Sequence, residues 1–148
     1  MSMAEGPLEL TLELAPRARF DVVELRSRLP IEYHDALKPY PYCLYWSLHT
    51  TAGFLDRSLI ARLGPERVPT YVDALRRIFP ENAGYQHDRL ERRVDLDAAQ
   101  RAVEPRNGDS HLLFIAGGLR PCVTHPNRSG EAVCFVDLDG VNEGRPRR

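Results

Sequence analysis

The chain lacks an excess of charge of either sign. Of its 148 residues, 20 are Lys or Arg and 21 are Asp or Glu, which gives a formal net charge of −1. Proteins that bind nucleic acid without sequence preference present a basic surface to the phosphate backbone. The balance of charge therefore argues against a general nucleic-acid-binding protein.

Long hydrophobic runs are also absent. No apolar stretch approaches the ~18 residues that a membrane-spanning helix requires. Residues 1–14 lack the basic and apolar regions of a secretory signal. The three cysteines are scattered and form no CxxC pair, which is typical of reduced thiols. These features predict a cytoplasmic protein that does not contact membranes.

The familiar nucleotide-binding and hydrolase motifs are missing as well. GxGxxG, Walker A, GxSxG and HExxH patterns do not occur in the sequence. The sequence therefore gives no support for a protein that binds dinucleotides, nucleoside triphosphates or catalytic zinc through these motifs, or for a serine hydrolase.

Length and pattern predict a single domain over residues 1–148, large enough to bury a core. Alternating leucines indicate a strand over residues 8–14, and Leu or Val at helical spacing indicates helices. The predicted elements are a strand over 8–14, a helix from Asp21 to Pro30, a loop over 31–41, a strand over 42–48, helices over 55–63 and 69–79, a loop over 81–93, a short helix capped by Asp95 or Asp97, and a strand over 131–138. This order predicts an α+β fold, with a compact mixed β-sheet and helices packed on it.

Three of the five histidines lie in loops or at the ends of predicted elements. His49 ends the strand over 42–48, His87 lies in a polar loop, and His111 follows the turn-rich segment 107–110. Imidazole binds a first-row metal ion through a neutral nitrogen, or acts as a general acid or base near neutral pH. Local hydrogen bonding is the third alternative, and the residues alone leave all three open.

Several other polar segments have two interpretations each. Thr50 and Thr51 are expected to lead into a helix N-terminus, where they either bind an anion or cap the helix. The pair Gly117-Gly118 permits close backbone approach or forms a hairpin turn. The closing run from Arg145 to Arg148 either contacts phosphate or is solvated. Three acids on or beside the last strand are acid–base groups or surface acids: Glu131, Asp137 and Asp139.

Taken in order, these segments resemble the YjbQ-like family, to which a secondary thiamine-phosphate synthase activity has been attributed. The matching segments are Leu48-His49-Thr50-Thr51-Ala52-Gly53, Phe79-Pro80 with Tyr85-Gln86-His87, Asn107-Gly108-Asp109-Ser110-His111, Phe135-Val136-Asp137-Leu138-Asp139-Gly140, and the closing Arg145-Pro146-Arg147-Arg148. The resemblance covers about residues 42–148.

The resemblance implies a compact α+β domain with a mixed sheet, usually assembled as a homotrimer, and a site near a subunit boundary. In this chain it implies that His49, His87 and His111 are catalytic residues or ligands of a divalent metal ion. It also implies that Thr50, Thr51 and Asn107 bind a substrate, a small phosphorylated or anionic molecule. These residues are the predicted site.

The sequence departs from the family pattern in the late hairpin and at its end. The family's Leu-Gly-x-Trp-Gln segment has no counterpart in residues 118–132, and Asp137 stands where the family has Glu. The family adds a final strand beyond the position of Arg148, so we expect a neighbouring subunit to cover a sheet edge. Three functions stay open: a YjbQ-like enzyme, a non-catalytic oligomeric module that binds metal or an anion, and a structural protein with a degenerate site.

Overall fold

The computed structural model describes residues 6–127 and 130–147. Its strands are β1 (Asp21–Glu24), β2 (Tyr42–Trp46), β3 (Ala52–Phe54), β4 (Cys122–Pro126), β5 (Cys134–Asp137), β6 (Val141–Asn142) and β7 (Arg145–Pro146). Its α-helices are α1 (Ile31–Leu37), α2 (Arg57–Leu63), α3 (Val68–Ile78), α4 (Ala98–Val103) and α5 (Gly108–Ala116). The predicted α+β class is confirmed. Within these ranges, no helix is long and apolar enough to cross a membrane.

Strand β5 is the centre of the main sheet. It pairs with β1 on one side and β3 on the other, both antiparallel. Strands β2 and β4 form a separate antiparallel ribbon, and β6 with β7 forms a short hairpin. The ribbon is tied to the sheet because Phe54 and Arg120 exchange two backbone hydrogen bonds of 2.8 Å. The ladders in the described ranges are thus all antiparallel, which differs from the predicted mixed sheet.

Two apolar clusters lie on opposite faces of β5, because successive side chains of a strand alternate between faces. Cys134 and Val136 pack against helices on one face, and Phe135 packs on the other. The larger cluster is formed by the buried residues Leu55, Ile60, Val68, Val72, Leu113, Cys134, Val136 and Leu138. The smaller cluster contains Leu25, Phe54, Val123 and Val133. Fully burying one such side chain contributes about 1.5–3 kcal/mol.

Local signals in the sequence position three helices correctly. The Asp56 carboxylate accepts a hydrogen bond from the Ser58 N–H at 2.8 Å and caps α2, which ends at Gly64 with φ +81°. Helix α3 follows as predicted. Asp97 and Gln100 form a capping box at the start of α4. Of the two predicted caps, Asp95 and Asp97, the N-cap is therefore Asp97.

The predicted helix from Asp21 to Pro30 is wrong. The Asp21 carboxylate does not cap a helix, because Arg17 holds it with Nη2 at 2.6 Å from Oδ1. The β-branched pair that follows lies in β1 and pairs with β5. The helix starts only after Pro30, a residue suited to a helix start, so α1 occupies much of the predicted loop over 31–41.

Three further assignments differ from prediction. Residues 8–14 alternate in burial but lie in no β-ladder of the described chain, so the predicted strand is wrong, although Leu12 and Leu14 pack on the smaller cluster. Gly117 ends helix α5 and is neither a hairpin residue nor an anion loop. The predicted strand over 42–48 is confirmed but ends at Trp46, and its residues Tyr42, Leu44 and Trp46 are exposed.

Candidate functional site

A cleft of about 560 Å³ lies between the β2–β3 connection, helices α4 and α5, and the β6–β7 hairpin. Five of the six predicted site residues line it: Thr50, Thr51, His87, Asn107 and His111. The structure thus brings together residues that lie up to 61 positions apart, from Thr50 to His111 (111 − 50).

The two histidines of the cleft lie side by side. His87 comes from a short 3₁₀ turn and His111 from the second turn of α5, and their ring centroids are 4.6 Å apart. Asp88 ties the turn to the helix by accepting the Gly108 N–H at 2.8 Å. Glycine is needed at position 108, because a Cβ there would lie 2.8 Å from the Tyr85 Cβ. The Asn-Gly start of α5 therefore permits the approach of the two rings.

The surroundings of His111 disfavour its charged form. Burial lowers its pKa below the ordinary value of 6.5, and the nearby His87 lowers it further. The carboxylates of Asp139 and Glu104 act to raise this pKa, but the net shift is still downward. A neutral imidazole at pH 7 offers one donor and one acceptor nitrogen, which suits proton transfer or metal ligation.

Asn107 presents an unsatisfied acceptor beside this pair. Its Nδ2 donates to Asp139 Oδ2 at 2.6 Å, and Asn142 Nδ2 donates to Asp139 Oδ1 at 2.9 Å. Asn107 is only 6% exposed, and its Oδ1 has no hydrogen-bond partner within residues 6–127 and 130–147. Leaving such an atom unpaired costs about 1–3 kcal/mol, so a ligand N–H or O–H is a favourable partner.

Thr51 does not have the position at a helix N-terminus that the sequence predicts. Residues 50 and 51 do not lead into a helix N-terminus, because Ala52–Phe54 pairs with β5 and the next helix starts at Arg57. The predicted helix-dipole anion site is therefore wrong. The positive charge is supplied by Arg147, whose Nη2 donates to Thr51 Oγ1 at 2.6 Å and to Asp137 Oδ1 at 3.0 Å.

Three arginines face the cleft, namely Arg93, Arg145 and Arg147. Buried Arg93 Nη1 and Arg147 Nε have no hydrogen-bond partner in the described part of the chain. Arg93 Nη1 does lie 3.9 Å from Glu104 Oε1, within ion-pair range. Arg93 was missed by sequence reasoning, because nothing in the polar segment 81–93 distinguishes it from its neighbouring arginines.

The acids at the end of β5 are buried rather than exposed. Asp137 is 7% and Asp139 8% exposed, and burial raises the pKa of Asp137 although Arg147 acts to lower it. Sequence reasoning left this open, since alternation on a strand does not reveal the hairpin that covers these carboxyls. Glu131, the third candidate acid, lies on the surface instead and pairs with Arg57 at 2.6 Å.

His49 is not among the residues that line the cleft. Its N–H donates to Ser47 Oγ at 3.3 Å. Burial lowers the pKa of His49 most, the charge of Arg147 lowers it further, and the charge of Asp137 acts to raise it. His49 is therefore close enough to the Arg147–Asp137 ion pair to be affected by both charges. Among the described residues, no group of three or more His, Cys, Asp or Glu side chains is arranged to hold a metal ion.

Comparison with solved structures identifies the fold. A hypothetical protein from Aeropyrum pernix K1 aligns with a TM-score of 0.56 at 14% identity, over 86% of this chain and 85% of that one. A YbjQ-like protein of unknown function from Sulfolobus solfataricus P2 aligns with a TM-score of 0.51 at 15% identity, over 90% of this chain and 84% of that one. The chain therefore has the YjbQ-like fold that its sequence resemblance implied. No protein-family model matches the chain, and no curated protein gives a significant match.

Proposed function

We propose that the cleft binds a small phosphorylated molecule and catalyses a group transfer of the secondary thiamine-phosphate synthase type. The observation that carries this proposal is that one cleft combines an imidazole pair with arginines whose buried N–H groups have no hydrogen-bond partner among the described residues. Imidazoles supply proton transfer, and guanidinium groups supply anion binding.

The phosphate is assigned to the arginine side of the cleft. Guanidinium groups match phosphate oxygens with two parallel N–H donors. Arg147 already uses Nη2 on Thr51 and Asp137, which fixes its orientation, and its buried Nε has no partner among the described residues. Arg93 Nη1 is a second buried donor. The pair is therefore suited to an oxyanion.

The attributed reaction joins a pyrimidine diphosphate to a thiazole phosphate. The thiazole nitrogen forms a bond to the pyrimidine methylene carbon, and the carbon–oxygen bond breaks so that pyrophosphate leaves with the electron pair. Negative charge grows on the leaving group, and fixed donors stabilise it there. In this proposal His87 and His111 hydrogen-bond the reacting groups, and Asn107 Oδ1 accepts a donor from the organic part.

A divalent metal ion is also implied by the resemblance. The paired rings of His87 and His111 give two imidazole ligands, whereas catalytic zinc sites use three protein ligands. His49 does not complete the set within the cleft lining. The three predicted ligands thus do not fit one metal ion as they stand, and we assign no step to it. Metal content of the wild type beside His87→Asn and His111→Asn tests the point by elemental analysis.

The proposed activity is tested by supplying the pyrimidine diphosphate and thiazole phosphate and measuring coupled product. We expect turnover in the wild type and a loss of about 10²–10⁴-fold in His111→Asn, as for a missing acid–base group. His34→Asn, an exposed histidine on α1, is the matched control and should keep full activity. Equal rates in both variants would refute the assignment of His111.

A non-catalytic module that binds an anion is the second candidate. The specific observation in its favour is the lack of the family's Leu-Gly-x-Trp-Gln segment in residues 118–132. This candidate predicts that inorganic phosphate raises the Tm in a saturable way, with no coupled product from the two substrates. Turnover is therefore the measurement that separates the two candidates.

A homotrimer is the proposed assembly. One face of the β2 segment carries four exposed apolar side chains, Tyr42, Leu44, Trp46 and Leu48, which are 63–81% exposed. A contiguous apolar row of this kind is typical of an interaction surface. The resemblance to the family implies that a second copy of the chain covers this surface.

The assembly is tested by light scattering after size-exclusion chromatography. We expect about three times the 16.8 kDa mass for the wild type. Trp46→Glu should give the monomer mass, because a charge at the centre of the apolar row opposes its burial. Ile78→Glu, at another exposed apolar position on α3, is the control and should leave the mass unchanged.

A further inference from the structure

A second cavity, of about 440 Å³, lies beside the start of α5 and shares no lining residue with the cleft. Phe20, Phe79 and Pro80 form its apolar wall. Its charged lining residues are Asp73, Arg76, Arg77, Glu81 and Asp109. We call this cavity the Phe20 pocket. Helix α5 separates the two cavities, since Asn107 lines the cleft and Asp109 lines the Phe20 pocket.

Asp109 gives the Phe20 pocket an unpaired acceptor. The residue is 1% exposed, and its Oδ1 accepts from Arg19 Nη2 at 2.7 Å. Its Oδ2 is buried and has no hydrogen-bond partner in the ranges that the structure describes. A buried carboxylate oxygen without a partner is costly, so a donor from a ligand in the pocket would be stabilising.

Most other charges of the pocket are already paired. Glu81 lies 2.7 Å from Arg19 and 3.7 Å from Arg76. Asp73 lies 3.5 Å from Arg76, whose guanidinium carbon is 4.0 Å from the centroid of the Phe20 ring.

Arg77 differs from these groups. It is exposed, and it makes no ion pair or side-chain hydrogen bond with the described residues. Counting only the described residues, the pocket therefore combines an acceptor without a partner at its buried end, aromatic walls, and a cation without a partner on its solvent side. A ligand that satisfies all three carries a donor, an apolar body and an anionic group.

We propose that the Phe20 pocket binds a small zwitterion with an apolar body, the chemistry of a free aromatic or aliphatic amino acid. Its ammonium group donates to Asp109 Oδ2, its carboxylate faces Arg77, and its side chain packs on Phe20 and Phe79. A zwitterion adds no net charge. This suits a pocket in which two lining arginines, Arg76 and Arg77, and Arg19, which pairs with Glu81 and Asp109 from outside the lining, balance three acids, Asp73, Glu81 and Asp109.

The proposal is tested by titration calorimetry with L-phenylalanine as the probe. We expect saturable binding to the full chain, and at least tenfold weaker binding to Arg77→Gln and to Asp109→Asn. Phenethylamine lacks the carboxylate and should bind more weakly, with no response to Arg77→Gln. 3-Phenylpropionate lacks the ammonium group and should show no response to Asp109→Asn. His111→Asn changes only the cleft and should bind L-phenylalanine as the wild type does.

Absence of binding would overturn the proposal, as would equal affinity in Arg77→Gln and the wild type. Loss of binding in His111→Asn would also overturn it, because the probe would then occupy the cleft. Should Asp109→Asn fail to fold, exposed Arg77 and the two truncated probes still decide the outcome. Since the two cavities share no lining residue, failure here leaves the proposed reaction of the cleft unaffected.

Discussion

The imidazole rings of His87 and His111 lie with their centroids 4.6 Å apart and their planes inclined by 46°. Two imidazolium charges at this distance repel each other, and burial of His111 strengthens the penalty. The charged form of His111 is therefore disfavoured. An anion bound nearby would favour that form, which would link protonation of His111 to ligand binding.

The first prediction concerns this coupling. Since the charge of His87 contributes to lowering the pKa of His111, replacing His87 by Gln should raise the pKa of His111 towards the ordinary value of 6.5. The shift is measured from the histidine resonances in an NMR titration. His34→Gln removes an exposed histidine on α1 and should leave the pKa of His111 where it was. A pKa of His111 that does not respond to His87→Gln would show that burial alone causes the shift.

The second prediction concerns stability in mild acid. Burial lowers the pKa of His49, His111 and His125 below 6.5. As the pH falls through that value, the unfolded chain takes up protons that the folded chain does not, so the free energy of unfolding decreases. Asp109 and Asp137 have the opposite effect on the free energy of unfolding at lower pH. Their pKa values are raised above 3.8, so the folded chain takes up these protons before the unfolded chain does. We expect the urea midpoint to fall between about pH 7 and about pH 5.

His125 is the variant of choice for this measurement. His125 lies on β4 with its side chain fully buried, and neither ring nitrogen has a hydrogen-bond partner in the described chain, although Nδ1 lies 3.7 Å from Glu131 Oε2. His125→Phe keeps an aromatic ring against Tyr45 and removes the titrating group. The urea midpoint of this variant should depend less steeply on pH over the same range. An unchanged slope would assign the effect to His49 and His111.

The third prediction concerns Arg147. Arg147→Met removes the donor to Thr51 and leaves the buried Asp137 carboxylate without its cation. We expect a loss of about 1–3 kcal/mol in the free energy of unfolding at neutral pH. If the cleft binds phosphate as proposed, the increase in Tm with inorganic phosphate should also become smaller. Arg145→Met is the matched control, since Arg145 lines the same cleft but is exposed. Equal losses in the two variants would contradict the bridging role of Arg147.

Elements governed by neighbouring residues were predictable from the sequence. The spacing of Val72, Leu75 and Phe79 marks helix α3, and the pair Gly64-Pro65 marks the break before it. Asp97 with Gln100 three residues later is a capping signal that needs no tertiary partner. The ordered motifs also led to five residues that line one cleft.

Elements that depend on distant partners were not predictable. The segment starting at Asp21 has helix-compatible spacing, but it becomes a strand because β5, more than 100 residues later, offers a ladder. Thr51 was assigned to a helix N-terminus for the same reason, since its true partner Arg147 lies 96 residues away. Periodicity contains no information on which distant strand or charge will pair with a segment.

The last prediction concerns the junction between the main sheet and the β2–β4 ribbon. Gly53 lies in β3, where the backbone of Arg120 approaches so closely that an added Cβ would clash with the Arg120 carbonyl oxygen and lie 2.8 Å from Phe114 Cε2. Gly53→Ala should therefore push β3 away from the segment at Arg120, which exchanges hydrogen bonds with Phe54, and destabilise the protein by about 1–3 kcal/mol. Gly6→Ala is the control, because no atom of the described residues lies within 4 Å of the added Cβ, and the change should stay within about 0.5 kcal/mol. Urea unfolding of both variants measures the difference. A Gly53→Ala midpoint equal to that of Gly6→Ala would mean that the sheet and the ribbon can separate at this point without cost, and that the cleft does not depend on their close contact.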